Sequence, residues 1–312
     1  MSPDATPAAR PTALDLAERD CPICRAGGQP ELVHEASYDL SRLDGFAFAS
    51  RKQPEYMHLK LLRCRRCDLL YASPAPRPEQ LELAYRGAEY DSADEARYAA
   101  RTYARLLRRV LASLPDRCGA LDIGAGDGAL ASQLVALGLE GVVGVEPSLA
   151  PLEAAAGDVR PLLRHGSFDA ADFEPESLRL VTCMATIEHV HDPQSLCDGA
   201  RGLLRPGGVL VVSAHDRRAA LNRALGRRSP IYDIEHLQLF SEPSLRALLE
   251  AAGLSDVGVR RFVNRYPLRY AARLAPLPAA LKRPLLAALR GRAGSAAVPV
   301  PAGNLVAVGY RR

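Results

Sequence analysis

From residue 120 onward, short apolar runs alternate with stretches of helical spacing. The runs at 120–123, 141–145, 160–164, 178–184 and 209–213 predict strands, and the segments between them predict helices, the pattern of βαβ units around a parallel sheet. A helix over 245–252 is stopped by Gly253, and strands near 257–263 and 305–310 close the order. The expected fold is α/β, a sheet of seven strands, most of them parallel. Between the final two strands, residues 266–292 place Leu and Arg at helical spacing interrupted by prolines. Two extra packing helices are expected there, with a lid, an oligomer contact or a membrane-surface helix as alternatives.

Upstream, Tyr98, Leu106, Val110 and Leu114 recur at helical intervals within 79–114, before Pro115 stops the pattern. Pro74, Pro76 and Pro78 fix their own backbone and restrict their predecessors, so a boundary is expected at 76–77. Residues 21–76 read as a small module of short strands and turns. Residues 1–20, rich in Pro, Ala, Arg and Asp, read as disordered or loosely attached. The expected organisation is therefore 1–20, 21–76 and a main domain over 77–312.

Length and composition narrow this further. At 312 residues there is room for one full α/β unit with a smaller attachment. With 48% hydrophobic and 24% charged residues, and no apolar run near the roughly 20 needed to span a bilayer, a membrane span is not expected. The N-terminus lacks the apolar core of a secretory signal, so a cytoplasmic location follows as an expectation. A net charge of +4 is too mild to imply nucleic acid without a concentrated patch.

Four of the seven cysteines form two Cys-x-x-Cys pairs, Cys21/Cys24 and Cys64/Cys67, which in a reducing compartment suggests metal before disulfide. Four thiolates suit a closed, tetrahedral, structural Zn2+ site. Four metal-free thiols are the alternative. Cys118, Cys183 and Cys197 are expected to be small buried packing residues.

The segment Leu121-Asp122-Ile123-Gly124-Ala125-Gly126-Asp127-Gly128 joins a strand end to a helix start through alternating glycines. Such a turn lets bare backbone approach a ligand, while unpaired helix N–H groups face an anionic or polar group. Glu146 ends the next strand about 20 residues on, where a carboxylate accepts hydrogen bonds from ribose hydroxyls. These features alone fit a dinucleotide as well as any other adenosyl ligand.

The surroundings separate the two. Asp122-x-Gly-x-Gly-x-Gly, then Glu146, then Glu188-His189-Val190, then Arg205-Pro206-Gly207-Gly208, then Glu235-His236-Leu237 with Phe240-Ser241 and Leu248-Leu249-Glu250-Ala251-Ala252-Gly253, together resemble class I S-adenosylmethionine (SAM)-dependent methyltransferases from about residue 121 to the end. The resemblance implies a Rossmann-like sheet of seven mostly parallel strands with an antiparallel last strand, and SAM as cofactor, held by Asp122, Gly124, Gly126, Gly128, Glu146, Pro147, Ser167, Phe168 and Met184. Where the family usually has an acid near the adenine amino group, this chain has His165-Gly166-Ser167-Phe168, so Ser167 or Asp169 would serve, with Phe168 stacking. Cys64-Arg65-Arg66-Cys67-Asp68 followed by Ser73-Pro74-Ala75-Pro76 resembles the zinc-binding segment of a subgroup that includes sugar C-methyltransferases, although that subgroup usually has Gly in place of Asp68.

Methyl transfer needs in-line alignment and, for a protonated nucleophile, a base. His is the natural candidate at neutral pH. His236 beside Glu235 ranks first, His189 second and His215 third. The run Arg217, Arg218, Arg223, Arg227 and Arg228 could face an acceptor phosphate or lie along a solvated face. The expected reaction is methylation at oxygen or carbon of a small-molecule acceptor, a sugar or natural-product intermediate. The rivals are an RNA methyltransferase gripping nucleic acid with the Cys module and Arg run, a non-catalytic SAM-binding scaffold, and a nicotinamide oxidoreductase.

Overall fold

The computed structural model describes residues 14–25, 29–49, 55–275 and 277–312. At its centre the pairs Ala120/Leu121, Leu180/Val181 and Val209/Leu210 sit on neighbouring strands and are all fully buried. Within each pair the first residue packs on one face of the sheet and the second on the other. Burial on both faces explains why these strands read as continuous apolar runs rather than as alternation.

Seven strands lie in the spatial order Ser255–Pro267, Ala297–Tyr310, Leu204–His215, Leu178–Met184, Cys118–Ile123, Glu140–Glu146 and Leu163–His165. The last five are mutually parallel, and Ala297–Tyr310 runs antiparallel to both of its neighbours. This is the Rossmann-like sheet expected from the sequence, its last strand antiparallel. One face is covered by helices Pro193–Leu203 and Glu242–Ala251, the other by Ala93–Leu111 and Ala129–Ala136. Strand Cys118–Ile123 has Glu140–Glu146 on one side and Leu178–Met184 on the other, so the connections diverge there and open a crevice at the carboxyl ends of the strands.

The N-terminal cysteine segment is built into this body. Strands Glu31–His34, Leu61–Arg63 and Leu70–Ala72 form an antiparallel sheet whose fourth strand, Gln238–Leu239, comes from the far end of the chain. Cys21, Cys64, Cys67, Leu69 and Tyr71 share one apolar cluster with Phe240, Leu245 and Leu248.

Several expectations require correction. Residues 160–164 are not one strand: a 3-10 turn, Arg160–Leu162, precedes a short strand Leu163–His165, because Pro161 has no N–H to give a sheet and its fixed φ suits a first helical turn. Cys118 is exposed, at the solvent end of its strand, whereas Cys183 and Cys197 are fully buried as expected. The stretch 79–114 divides into helices Pro78–Arg86 and Ala93–Leu111, broken at Gly87. Of residues 1–20, the first thirteen lie outside the described residues. The remainder is held in place: Leu16–Ala17 pairs with Ala75–Pro76, and the Arg19 guanidinium donates to the carbonyls of Ala72, His191 and Leu237. The insertion does form two helices, Leu268–Leu274 and Ala279–Ala288, after a strand that runs on to Pro267. Among the described residues, no helix is long and apolar enough to cross a membrane.

Candidate active site

The glycine turn lies at the mouth of the crevice. Gly124, Gly126 and Gly128 have φ of 74°, 57° and 76°, a region that L side chains avoid. At Gly124 a Cβ would stand 2.3 Å from Thr186 Oγ1, so the turn and the loop after Met184 touch. At Gly126 a Cβ would meet nothing within 4 Å, so the bare backbone faces open space. Glu146, buried, accepts from the Gly126 N–H through Oε2 and from the Ser148 N–H through Oε1, both at 2.8 Å, which fixes the carboxylate beside the turn. Asp122, also buried, accepts from Thr182 Oγ1 at 2.7 Å.

Two cavities meet here. One, of about 580 Å3, is lined by Glu146, Pro147, Ser148, Ser167, Phe168 and Asp169. The other, of about 420 Å3, is lined by Asp122, Gly126, Met184, His215 and His236 and walled by Tyr103, Tyr266 and Tyr270. Gly124, Ala185, Thr186, His189 and Glu235 border both. Gly128 lies behind the turn and caps helix Ala129–Ala136. Between the two adenine candidates, Asp169 already accepts from Ala171 N–H at 2.9 Å as a local cap. Ala185 holds φ +56°, its N–H bonded to Ser213 Oγ at 2.9 Å. A non-glycine residue in that region, where two cavities join, is strain held by its surroundings.

Three imidazoles line the second cavity in a row. The ring of His236 lies between those of His189, 4.9 Å away, and His215, 5.4 Å away. His236 Nδ1 is 2.8 Å from the Ile231 carbonyl, which can only accept, so Nδ1 carries the proton and Nε2 the lone pair. Burial, with His215 nearby, pushes His236 below the ordinary imidazole value and keeps it neutral. His189 Nδ1 is 3.5 Å from Glu235 Oε2.

His215, ranked third from the sequence, makes a shorter ring contact with a carboxylate than His189 does. Glu188 is fully buried, and its Oε1 accepts from both the His215 backbone N–H at 2.7 Å and Nδ1 at 2.8 Å. Burial alone would raise the Glu188 carboxyl, but the hydrogen bond and the neighbouring histidines hold it down at about 2. The ring is thereby fixed with its Nε2 lone pair available, the arrangement of a carboxylate-oriented base. Tyr85, absent from the sequence reading, also belongs here. Its hydroxyl is buried with no hydrogen-bond partner among the described residues, and its ring stands edge-on to His189 at 6.0 Å. Burial and the carboxylates of Glu235, Asp233, Glu146 and Glu188 raise its pKa well above the usual phenol value.

The four paired cysteines converge at the edge of the small sheet. Cys21 Sγ lies 3.5 Å from Cys67 Sγ and Cys24 Sγ 3.4 Å from Cys64 Sγ, and all four sulfurs fall within 4.8 Å of one another without a disulfide. Tetrahedral Zn–S bonds of 2.3 Å place sulfurs roughly 3.8 Å apart, so the donor set fits such an ion. Asp68, directly after the second pair, has φ +64°, which explains why Gly suits this position elsewhere. Here the carboxylate ion-pairs with Arg217 and with Arg218 (2.8 Å) and accepts from Ser241 Oγ. Two arginines considered for an acceptor phosphate are thus engaged at Asp68. Arg227 and Arg228 line a separate, open side pocket with His58.

A family model described as a methyltransferase domain matches residues 95–259. A ubiquinone biosynthesis O-methyltransferase from Vibrio atlanticus is 34% identical over 103 residues, 31% of this chain and 43% of the relative. The protein of the same name from Neisseria meningitidis is 36% identical over 107 residues, 31% and 45% of the two chains. This chain thus spans less than half the length of the curated relatives it matches. Among solved structures, the YcgJ protein from Bacillus subtilis superposes with a TM-score of 0.50 over 68% of this chain and 99% of its own, at 16% identity.

Proposed function

Because this chain belongs to the class I SAM-dependent methyltransferases, we propose that it transfers the methyl group of SAM to oxygen or carbon of a small, largely apolar molecule. One observation carries this reading: the glycine turn with Glu146 borders a cavity that opens, at Ala185, Thr186, His189 and Glu235, into a second cavity walled by tyrosines. The first suits the adenosyl part, with Glu146 accepting from ribose hydroxyls, Phe168 against adenine, and Ser167 or Asp169 at its rim. The turn backbone, with Asp122 and Met184 beside it, suits the amino-acid end of the cofactor.

In this mechanism the acceptor lies in the tyrosine-walled cavity, where rings and Leu221, Leu225, Ile231 and Val300 favour a flat apolar group over a sugar. The acceptor O–H or C–H gives its proton to His215 Nε2, and Glu188 stabilises the imidazolium. The nucleophile forms a bond to the methyl carbon as the C–S bond breaks, its electron pair returning to sulfur as neutral S-adenosylhomocysteine. His236, Glu235 and His189 engage the acceptor from the same wall. The names of the matched relatives, ubiquinone biosynthesis O-methyltransferases, favour a phenolic or quinol oxygen. An RNA acceptor loses support because Arg217 and Arg218 are both held at Asp68, which offsets one of their two charges. Cys21, Cys24, Cys64 and Cys67 hold a structural Zn2+ in this reading, and reduced thiols suit a cytoplasmic setting.

The test is incubation with methyl-labelled SAM and a panel of phenols, quinols, sugars and RNA. Label on an apolar phenol or quinol, with stoichiometric S-adenosylhomocysteine, supports the proposal. Label confined to RNA, or tight SAM binding without transfer to any acceptor, overturns it.

A further inference from the structure

His189, Glu235 and His236 come from two loops far apart in sequence, yet each offers a donor atom within 4.8 Å of the other two. The set is two imidazoles and a carboxylate, ligands that suit divalent first-row metals and leave coordination positions open. His236 meets the further requirement of a ligand: its Nδ1 bonds the Ile231 carbonyl, which fixes the ring and leaves Nε2 to bind. The His189 Nδ1 to Glu235 Oε2 separation of 3.5 Å is close to the roughly 3.4 Å between neighbouring ligands around a tetrahedral ion at 2.0–2.2 Å. His189 and Glu235 border both cavities and His236 lines the tyrosine-walled one, so an ion there keeps access to an entering molecule. The carboxylates of Glu188 and Asp233 are buried close by, and the Tyr85 hydroxyl is buried without a hydrogen-bond partner among the described residues. Negative charge concentrated away from water favours a cation.

We propose that His189, Glu235 and His236 form a divalent-cation site at the junction of the cavities, whose open positions take a hydroxyl or carbonyl oxygen of the acceptor. The ion would orient that oxygen and lower the cost of its negative charge as the proton leaves for His215. This deepens the methyltransferase reading and rests on it only for the acceptor's role. Ion binding stands or falls separately.

Zinc is the probe. Metal-stripped full-length protein is reloaded with Zn2+, desalted and analysed for metal content, in parallel with calorimetry of S-adenosylhomocysteine binding as a check on the fold. Wild type should hold two equivalents, Cys64→Ser one, and His189→Asn one, with cofactor binding in His189→Asn within threefold of wild type. Glu235→Gln provides a second variant should His189→Asn fail to fold, and should also hold one equivalent. A single equivalent in wild type that Cys64→Ser abolishes, or two equivalents retained by His189→Asn and Glu235→Gln, overturns the proposal. Either result leaves methyl transfer, assayed on its own, as it was.

Discussion

Replacing Gly126 by Ala separates the two demands on the glycine turn, its backbone shape and its emptiness. At φ +57° an added Cβ costs roughly 1–2 kcal/mol through local sterics, and no atom within 4 Å adds a clash. For a chain of this size that is a fall in melting temperature of about 2–4 °C. Gly138, φ +83°, is a matched control: it carries the same backbone constraint at the far end of helix Ala129–Ala136, and its nearest foreign atom is the flexible tip of Arg117 at 3.8 Å. Gly138→Ala should lower the melting temperature by a similar amount. Only at Gly126 does the new methyl project into the open space proposed for the cofactor. Calorimetry with S-adenosylhomocysteine should therefore show at least about a tenfold loss for Gly126→Ala, about 1.4 kcal/mol, and no change for Gly138→Ala. Equal affinity in the two variants would refute the placement of the cofactor against this turn.

Further predictions concern the remaining parts of the site. Glu188→Gln should reduce turnover at least tenfold while S-adenosylhomocysteine affinity stays within threefold, because it removes the charge that supports the His215 imidazolium; steady-state kinetics with a phenolic acceptor checks this. His236→Ala should likewise cut turnover at least tenfold with cofactor binding retained, and unchanged turnover would remove it from the mechanism. Asp68→Asn should keep the left-handed backbone but leave the largely buried Arg217 without its counter-charge, lowering stability by about 1–3 kcal/mol in denaturant titration. Because Arg218 is half exposed, its pair with Asp68 should add little to that loss. Chelation or Cys64→Ser should lower the melting temperature of the whole protein in one transition, since the cysteines share an apolar cluster with the main sheet.

The central sheet was legible because its strands are buried on both faces and bounded by glycine and proline signals, so apolar runs alone marked 120–123, 178–184 and 209–213. Residues 160–164 misled because Leu162 and Leu163 suggested a strand, while Pro161 decided the local backbone. The adjacency of the glycine turn and Glu146 could be read because both lie within one βαβ unit, and the structure brings the carboxylate onto the Gly126 N–H. The acceptor side was harder. Tyr85, Glu188, His215, Glu235 and His236 meet only through tertiary folding, and no interval in the chain encodes the meeting of residue 85 with residue 189. His215 ranked last among the histidines because its merit lies in Glu188, 27 positions away and invisible as a partner until the strand ends are aligned. Asp68 looked like a departure from a glycine-preferring position, and only Arg217, Arg218 and Ser241 show what it gains.

The strand Gln238–Leu239 begins two residues after His236 and completes the sheet that carries the cysteines. Arg19 clamps the same loop from the other side through the Leu237 carbonyl and the Gln238 side chain. A minimal catalytic fragment trimmed to the Rossmann-like portion would leave the Glu235-His236 segment without its lateral scaffold. Oxidation of the thiol quartet would transmit disorder along the same path to His236 and the cavity it lines, so that a chemical injury at the sulfurs would be felt in the row of imidazoles.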